Sequence, residues 1–110
     1  MLKYKYQETK QFSESIENIK GQDLKRIQKT IDRLLDTPDL TDGPYHGEHR
    51  GKFKKYVGKS GFLLVYTWCE RCIKNRLQEY LNCAFCGTIS EKSVIFFDVV
   101  KKADAYKNGY

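Results

Sequence analysis

The stretch RGKFKKYVGKSGFLLVY, residues 50–66, reads as two strands joined by a turn. Residues 52–57 (KFKKYV) run into Gly58-Lys59-Ser60-Gly61, and residues 62–68 (FLLVYTW) continue after it. Two runs rich in aromatic and β-branched residues around a glycine-bounded turn predict a β-hairpin. A third apolar, β-branched run, SVIFFDVV, occupies residues 93–100. Because successive side chains of a strand point to opposite faces, Lys52, Lys54 and Tyr56 share one face. Phe53, Lys55 and Val57 share the other.

Upstream of the hairpin the period changes. LKYKYQ (2–7) alternates Leu2, Tyr4 and Tyr6 with Lys3 and Lys5, the period of a half-buried strand. Thr9 is placed to cap a short helix carrying Phe12, Ile16 and Ile19 on one face, with Gly21 as its stop. A second helix is expected over about 23–36, capped by Asp23 and ended by Pro38. Its apolar stripe is Leu24, Ile27, Ile31, Leu34 and Leu35, with Lys25, Arg26, Lys29 and Asp32 facing water. The short connection makes the two helices an antiparallel hairpin. Residues 37–51, TPDLTDGPYHGEHRG, hold both prolines and read as a loop. The tail KKADAYKNGY is short and polar. The order is an N-terminal strand, a helix hairpin, then at least three strands. That is an α+β domain with a mainly antiparallel sheet carrying helices on one side. No repeat or linker divides residues 1–110, which read as a single domain.

Composition bounds the function classes. The chain has 110 residues, 40% hydrophobic and 31% charged, in keeping with one soluble globular core rather than disorder. The longest apolar run, Phe62 to Tyr66, is far short of the ~20 residues that span a bilayer. The opening MLKYKYQETK has no apolar h-region, so the expectation is a cytoplasmic protein with reduced thiols and no membrane partner. Net charge is +6, with 20 Lys and Arg against 14 Asp and Glu. A basic surface attracts polyanions, nucleic acid foremost, although a lysine-rich surface also serves solubility alone.

Between the second and third of these strands lies CERCIKNRLQEYLNCAFCG, residues 69–87. Cys69 and Cys72 form one Cys-x2-Cys pair, and Cys83 and Cys86 form another. Two residues between cysteines let both thiolates of a tight turn reach one metal, and two such turns complete a tetrahedral sulfur shell. The expectation is one structural Zn2+ per chain, clipping an inserted segment over 69–87. An iron–sulfur cluster uses the same four thiolates, and disulfides or a redox pair are the remaining readings. His46 and His49 sit in the loop and are not needed for that shell. Contact with RNA or a phosphate is the better use for them.

The face bearing Lys52, Lys54 and Tyr56 combines two ammonium groups with an aromatic plate. Phosphates bind the first and a base stacks on the second. A solvated strand face carries the same residue types.

Taken in order, these segments resemble the RelE/ParE superfamily of bacterial and archaeal toxins. The resemblance covers most of the chain: a strand, Phe12 and two helices, TIDRLLDTPD closing the second helix, HGEHRGKFKKYVGKSGFLLVY, and SVIFFDVVKKADAY at the end. The cysteine insertion is not a usual feature of that family, so the chain looks like a zinc-containing branch. RelE-like members are ribosome-dependent mRNA endonucleases silenced by a cognate antitoxin. By resemblance, Lys54 stands where the family has its lysine general base, and Lys102 replaces an arginine that stabilises charge on the phosphate. Tyr106 matches a tyrosine that stacks on or orients the substrate. Tyr56 falls where a second lysine is usual, and Leu63 where another arginine is. Arg50, Lys52 and Tyr56 are the expected RNA-binding residues. Lys54 is suited to proton abstraction only within a field of neighbouring positive charge, which Lys52, Lys55 and Lys102 are expected to supply. The resemblance also admits a ParE-like toxin directed at a DNA topoisomerase. A non-catalytic zinc-containing RNA-binding module is the third reading.

Overall fold

The computed structural model describes residues 4–45, 51–58, 61–69 and 92–105. In chain order the elements are β1 (Lys5–Glu8), α1 (Lys10–Glu17), α2 (Gly21–Asp36), β2 (Gly43–Pro44), β3 (Phe53–Val57), β4 (Phe62–Trp68), β5 (Ser93–Lys101) and α3 (Lys102–Ala105). The strands form one sheet in the order β1-β5-β4-β3-β2. β1 runs parallel to β5, and every other pairing is antiparallel. The α+β class, with a mainly antiparallel sheet, is therefore as the sequence implies.

Helices and sheet share one core. Phe12 and Ile19, with Ile27, Ile31, Leu34 and Leu35 of α2, pack in one cluster with Phe53, Val57, Phe62, Leu64, Tyr66, Trp68, Val94, Phe96 and Val99. The cluster takes Phe53 and Val57 from β3, so Lys54 and Tyr56 project from the opposite face. A one-residue slip of β3 would expose those two apolar side chains and drive Lys54 and Tyr56 into the core. Each fully buried apolar side chain is worth about 1.5–3 kcal/mol, so burial alone pins the register. β4 is central and buried along its whole length.

Several local expectations shift. Thr9 does cap α1, its Oγ1 accepting the Phe12 N–H at 3.2 Å. The helix ends at Asn18, however, and Gly21 is the first residue of α2 rather than the stop of α1. Lys20, in extended backbone, takes the N-cap position without a side-chain bond. Asp23 falls in the first turn instead, where a carboxylate complements the helix dipole. The first strand starts at Lys5, because the Tyr4 N–H is drawn to Leu35 O at the end of α2 (2.8 Å). Leu2 and Lys3 lie outside the described residues.

A β-bulge sews α1 to the sheet. Val65 pairs with Asp98 and Tyr66 with Phe96, leaving Phe97 as the extra residue. The Phe97 carbonyl accepts the Thr9 hydroxyl at 3.0 Å. The buried Asp98 carboxylate accepts from Gln11 Nε2 at 2.7 Å and Ser15 Oγ at 2.9 Å, both on α1. Among the described residues no helix is long and apolar enough to cross a membrane.

Candidate functional site

The face turned away from the helices is built by register. Tyr56 of β3 pairs with Leu63 of β4, and Leu63 with Val100 of β5. In the next row Gly43 pairs with Lys54 and Lys54 with Val65. Lys102 follows the end of β5, two strands across from Tyr56. Its backbone N–H donates to Gly61 O at 2.6 Å, tying the start of α3 to the β3–β4 turn. Gly61 adopts φ +76°, a left-handed conformation that glycine alone enters without strain.

These placements converge. The Lys102 ammonium stands 4.8 Å from the centroid of the Tyr56 ring, and the Lys54 ammonium 5.9 Å from the same centroid. Both are within the range of cation–π attraction. Tyr56 is 40% exposed, so the cluster stands open to a ligand. Residues 48 positions apart in sequence thus meet on one ring. Tyr56 is engaged by two ammonium groups instead of standing as a bare stacking plate. Lys52 lies one row along, its ammonium 5.0 Å over the half-buried ring of Phe97, the bulge residue.

Other expected residues fall elsewhere. Lys55 is on the helix side of the sheet, with its ammonium 3.8 Å from Asp42 Oδ1. It is not part of the positive field around Lys54, and a carboxylate offsets its charge. Leu63, in the place expected of an arginine, is 2% exposed and forms an apolar floor between Tyr56 and Val100. Cys69 is buried just past the end of β4. Cys72, Cys83 and Cys86, and with them the rest of the 69–87 segment, lie outside the described residues. So do Arg50, Tyr106, His46 and His49.

The segment read as a plain loop supplies parts that sequence reasoning missed. Residues 41–45 form an edge that fixes β3. Asp42 N–H and Thr41 Oγ1 both donate to Lys54 O, at 2.9 and 3.0 Å. Asp42 Oδ2 accepts the Tyr56 N–H at 2.7 Å, and the Tyr45 N–H donates to Lys52 O at 2.9 Å. The outward backbone groups of Lys52, Lys54 and Tyr56 are thereby satisfied, which holds their side chains in place. Gly43 sits at φ +143°, and a Cβ there would lie 3.5 Å from Lys54 Cε. Tyr45 brings its ring to 5.9 Å from the Lys54 ammonium. Burial, with the Tyr56 phenol adding to it, pushes the Tyr45 hydroxyl up to about 12. The signal for this edge was Asp42-Gly43-Pro44: a turn dipeptide followed by a proline, which strands accept at a sheet edge.

The fold has counterparts among solved structures. The toxin–antitoxin complex RelBE2 of Mycobacterium tuberculosis contains a chain that matches with TM-score 0.64 at 17% identity, covering 94% of this chain and 97% of that one. A chain of the archaeal RelE–RelB complex of Pyrococcus horikoshii matches with TM-score 0.61 at 12% identity, covering 92% and 97%. One from the intact RelBE toxin–antitoxin complex of E. coli matches with TM-score 0.54 at 17% identity, covering 89% and 95%. No protein-family model matches the sequence. No curated protein matches it either.

Proposed function

We propose that this chain is the toxin of a type II toxin–antitoxin pair and acts as a ribosome-dependent mRNA endonuclease. The observation that carries the reading is the meeting of Lys54 and Lys102 on Tyr56, on the sheet face that the helices leave uncovered. A RelE-like fold, shared with chains from three toxin–antitoxin complexes, supports it. The reaction is transesterification through the ribose 2′-hydroxyl. Lys54, as its neutral amine, takes the 2′ proton, and the 2′ oxygen attacks phosphorus. The bond from phosphorus to the 5′ oxygen breaks, that oxygen takes a proton from solvent, and a 2′,3′-cyclic phosphate remains. Lys102 stabilises the charge that builds on the phosphate oxygens, the part of such reactions where fixed positive charge contributes most. Tyr106, a few residues beyond Lys102, is assigned to orienting the substrate, and Arg50 and Lys52 to holding the RNA backbone.

The partners in this reading are mRNA on the ribosome and a cognate antitoxin that masks the basic face. The compartment is the cytoplasm, where thiols stay reduced. Cys69, Cys72, Cys83 and Cys86 hold one structural zinc ion, which closes the insertion between β4 and β5. Four thiolates leave no open coordination position, so the metal has no part in the reaction.

One observation favours a second reading. With the buried Leu63 at the centre of the face, the phosphate loses a bidentate clamp that lysine does not replace. A toxin of ParE type, inhibiting a DNA topoisomerase, needs no such clamp. The test is induction of the chain in cells, followed by mapping of transcript ends and by cleavage of ribosome-bound mRNA in vitro. Cleavage that Lys54→Ala and Lys102→Ala each reduce about 10²-fold or more supports the endonuclease. Growth arrest with intact transcripts puts the topoisomerase reading first. RNA binding with neither arrest nor cleavage leaves a zinc-containing binding module.

A further inference from the structure

We propose that Tyr45 is a positioning residue of this site: its ring, set just past β2, holds the Lys54 side chain at the place where its amine meets the RNA. The role rests on the endonuclease reading above.

Three contacts converge on Lys54. Its ammonium lies 5.9 Å from the Tyr45 ring centroid and 5.9 Å from that of Tyr56. Its Cε passes 3.5 Å from where a Gly43 Cβ would stand, so the stem runs across a glycine between two aromatic rings. The register explains why. Gly43 pairs with Lys54, and the Tyr45 N–H bonds to Lys52 O. Gly43 and Tyr45 therefore share the face of Lys54 by alternation along the edge strand. A Cβ at position 43 would make ordinary van der Waals contact with the stem, and it is the backbone at φ +143° that favours glycine there.

A lysine on an open strand face has a four-carbon stem with many rotamers, and ordering it costs rate when the substrate must do it. Two electron-rich ring faces flank the side chain and narrow that search in the resting, protonated state; the ammonium gives up its proton before the amine takes one from the 2′-hydroxyl. Tyr56 is half of the arrangement, but it is shared with Lys102 and is 40% exposed. Tyr45 is more deeply set, half-buried where Tyr56 is exposed. It is the ring that touches Lys54 without also serving Lys102 among the described contacts. Its hydroxyl is not needed for the role; its ring is.

The test compares Tyr45→Leu, which removes the ring but keeps apolar bulk, with Tyr45→Phe, which keeps the ring. On ribosome-bound mRNA, Tyr45→Leu lowers kcat about tenfold with KM within about twofold, and Tyr45→Phe recovers most of the parent rate. A second readout needs no activity: the ring-current shift of the Lys54 Cε protons by NMR of the whole chain. That upfield shift shrinks in Tyr45→Leu and persists in Tyr45→Phe, while the rest of the spectrum stays dispersed. Unchanged Lys54 shifts in Tyr45→Leu overturn the positioning role even if the parent cleaves RNA. A rise in KM at constant kcat overturns it too, since the ring would then be binding substrate. A parent chain that cleaves no RNA overturns the endonuclease reading and the role in catalysis with it, whatever the Lys54 shifts.

Discussion

Removing the two converging lysines together, Lys54→Ala with Lys102→Ala, changes how RNA binding depends on salt. The size of the change follows from the geometry. Each ammonium that contacts a phosphate releases condensed counterions, and for single strands log K falls against log salt with slope about −0.7 per contact. Lys54 and Lys102 stand at one ring, 5.9 and 4.8 Å from its centroid, so a phosphate lying there meets both. The pair contributes about −1.4 to the slope, and between 50 and 200 mM salt it accounts for roughly a sevenfold loss of affinity. The assay is fluorescence anisotropy of a short labelled single-stranded RNA, titrated with the protein at four or five KCl concentrations. In the double variant the slope becomes shallower by about 1.4, and in each single variant by about 0.7. Lys55→Ala is the comparison: this residue faces the helix side and pairs with Asp42, so its removal leaves the slope within error. A double variant with the parent's slope refutes the convergence on phosphate, whatever the cleavage assays give.

Other expectations follow from the same contacts. The buried Tyr66 hydroxyl donates to Pro38 O at 2.6 Å. Tyr66→Phe leaves that carbonyl unsatisfied, at a cost of about 2 kcal/mol, and should lower the calorimetric midpoint by roughly 10 °C; a shift below about 2 °C would remove the bond from the account. Burial raises the phenol of Tyr45, to about 12, and that of Tyr66 further. A raised phenol stabilises the fold below its unfolded value near 10, and that contribution is lost as pH climbs through the folded value. Thermal midpoints should therefore hold to about pH 10 and fall toward pH 12, and flat midpoints over that range contradict the burial of these rings. Elemental analysis of protein purified without chelator should give about one zinc per chain, and Cys69→Ser should lower it; metal-free parent protein with four reactive thiols would end the zinc proposal.

Much of the fold was legible because burial and chain period agree over β3, β4, β5 and α2. The alternation in KFKKYV separated the core residues Phe53 and Val57 from Lys54 and Tyr56, and the register could not be otherwise without burying lysine. What escaped was decided by tertiary contacts. Gly21 looks like a helix stop by residue type, yet the break falls at Asn18 and α2 begins at Gly21 itself. Lys55 carries the same charge as Lys54, and only Asp42 across the sheet edge shows that its field is offset. Tyr45 lay in a segment rich in turn residues, where period gives no signal. Its partner is nine positions away, and their meeting depends on a two-residue strand too short to leave a pattern.

On the endonuclease reading proposed above, the place of Leu63 bears on how the basic face works. A charge at that position would sit directly between Tyr56 and Val100, in the centre of the face. With leucine there, positive charge enters from two sides: from β3 through Lys54 and from the end of β5 through Lys102. The floor between them is apolar and 2% exposed. Two flanking ammonium groups thus supply the positive charge that no side chain at the centre provides. They act as point charges without the directional fork of arginine. Directionality must then come from holding the lysines still, and the face does this with rings. Tyr45 and Tyr56 bracket Lys54, while Tyr56 and the Gly61 carbonyl at the Lys102 backbone fix the other side. Where an arginine carries its own geometry in its guanidinium plane, this chain takes it from the edge strand and the turn. Changes in residues 41–45 should therefore reach the chemistry as surely as changes in the lysines.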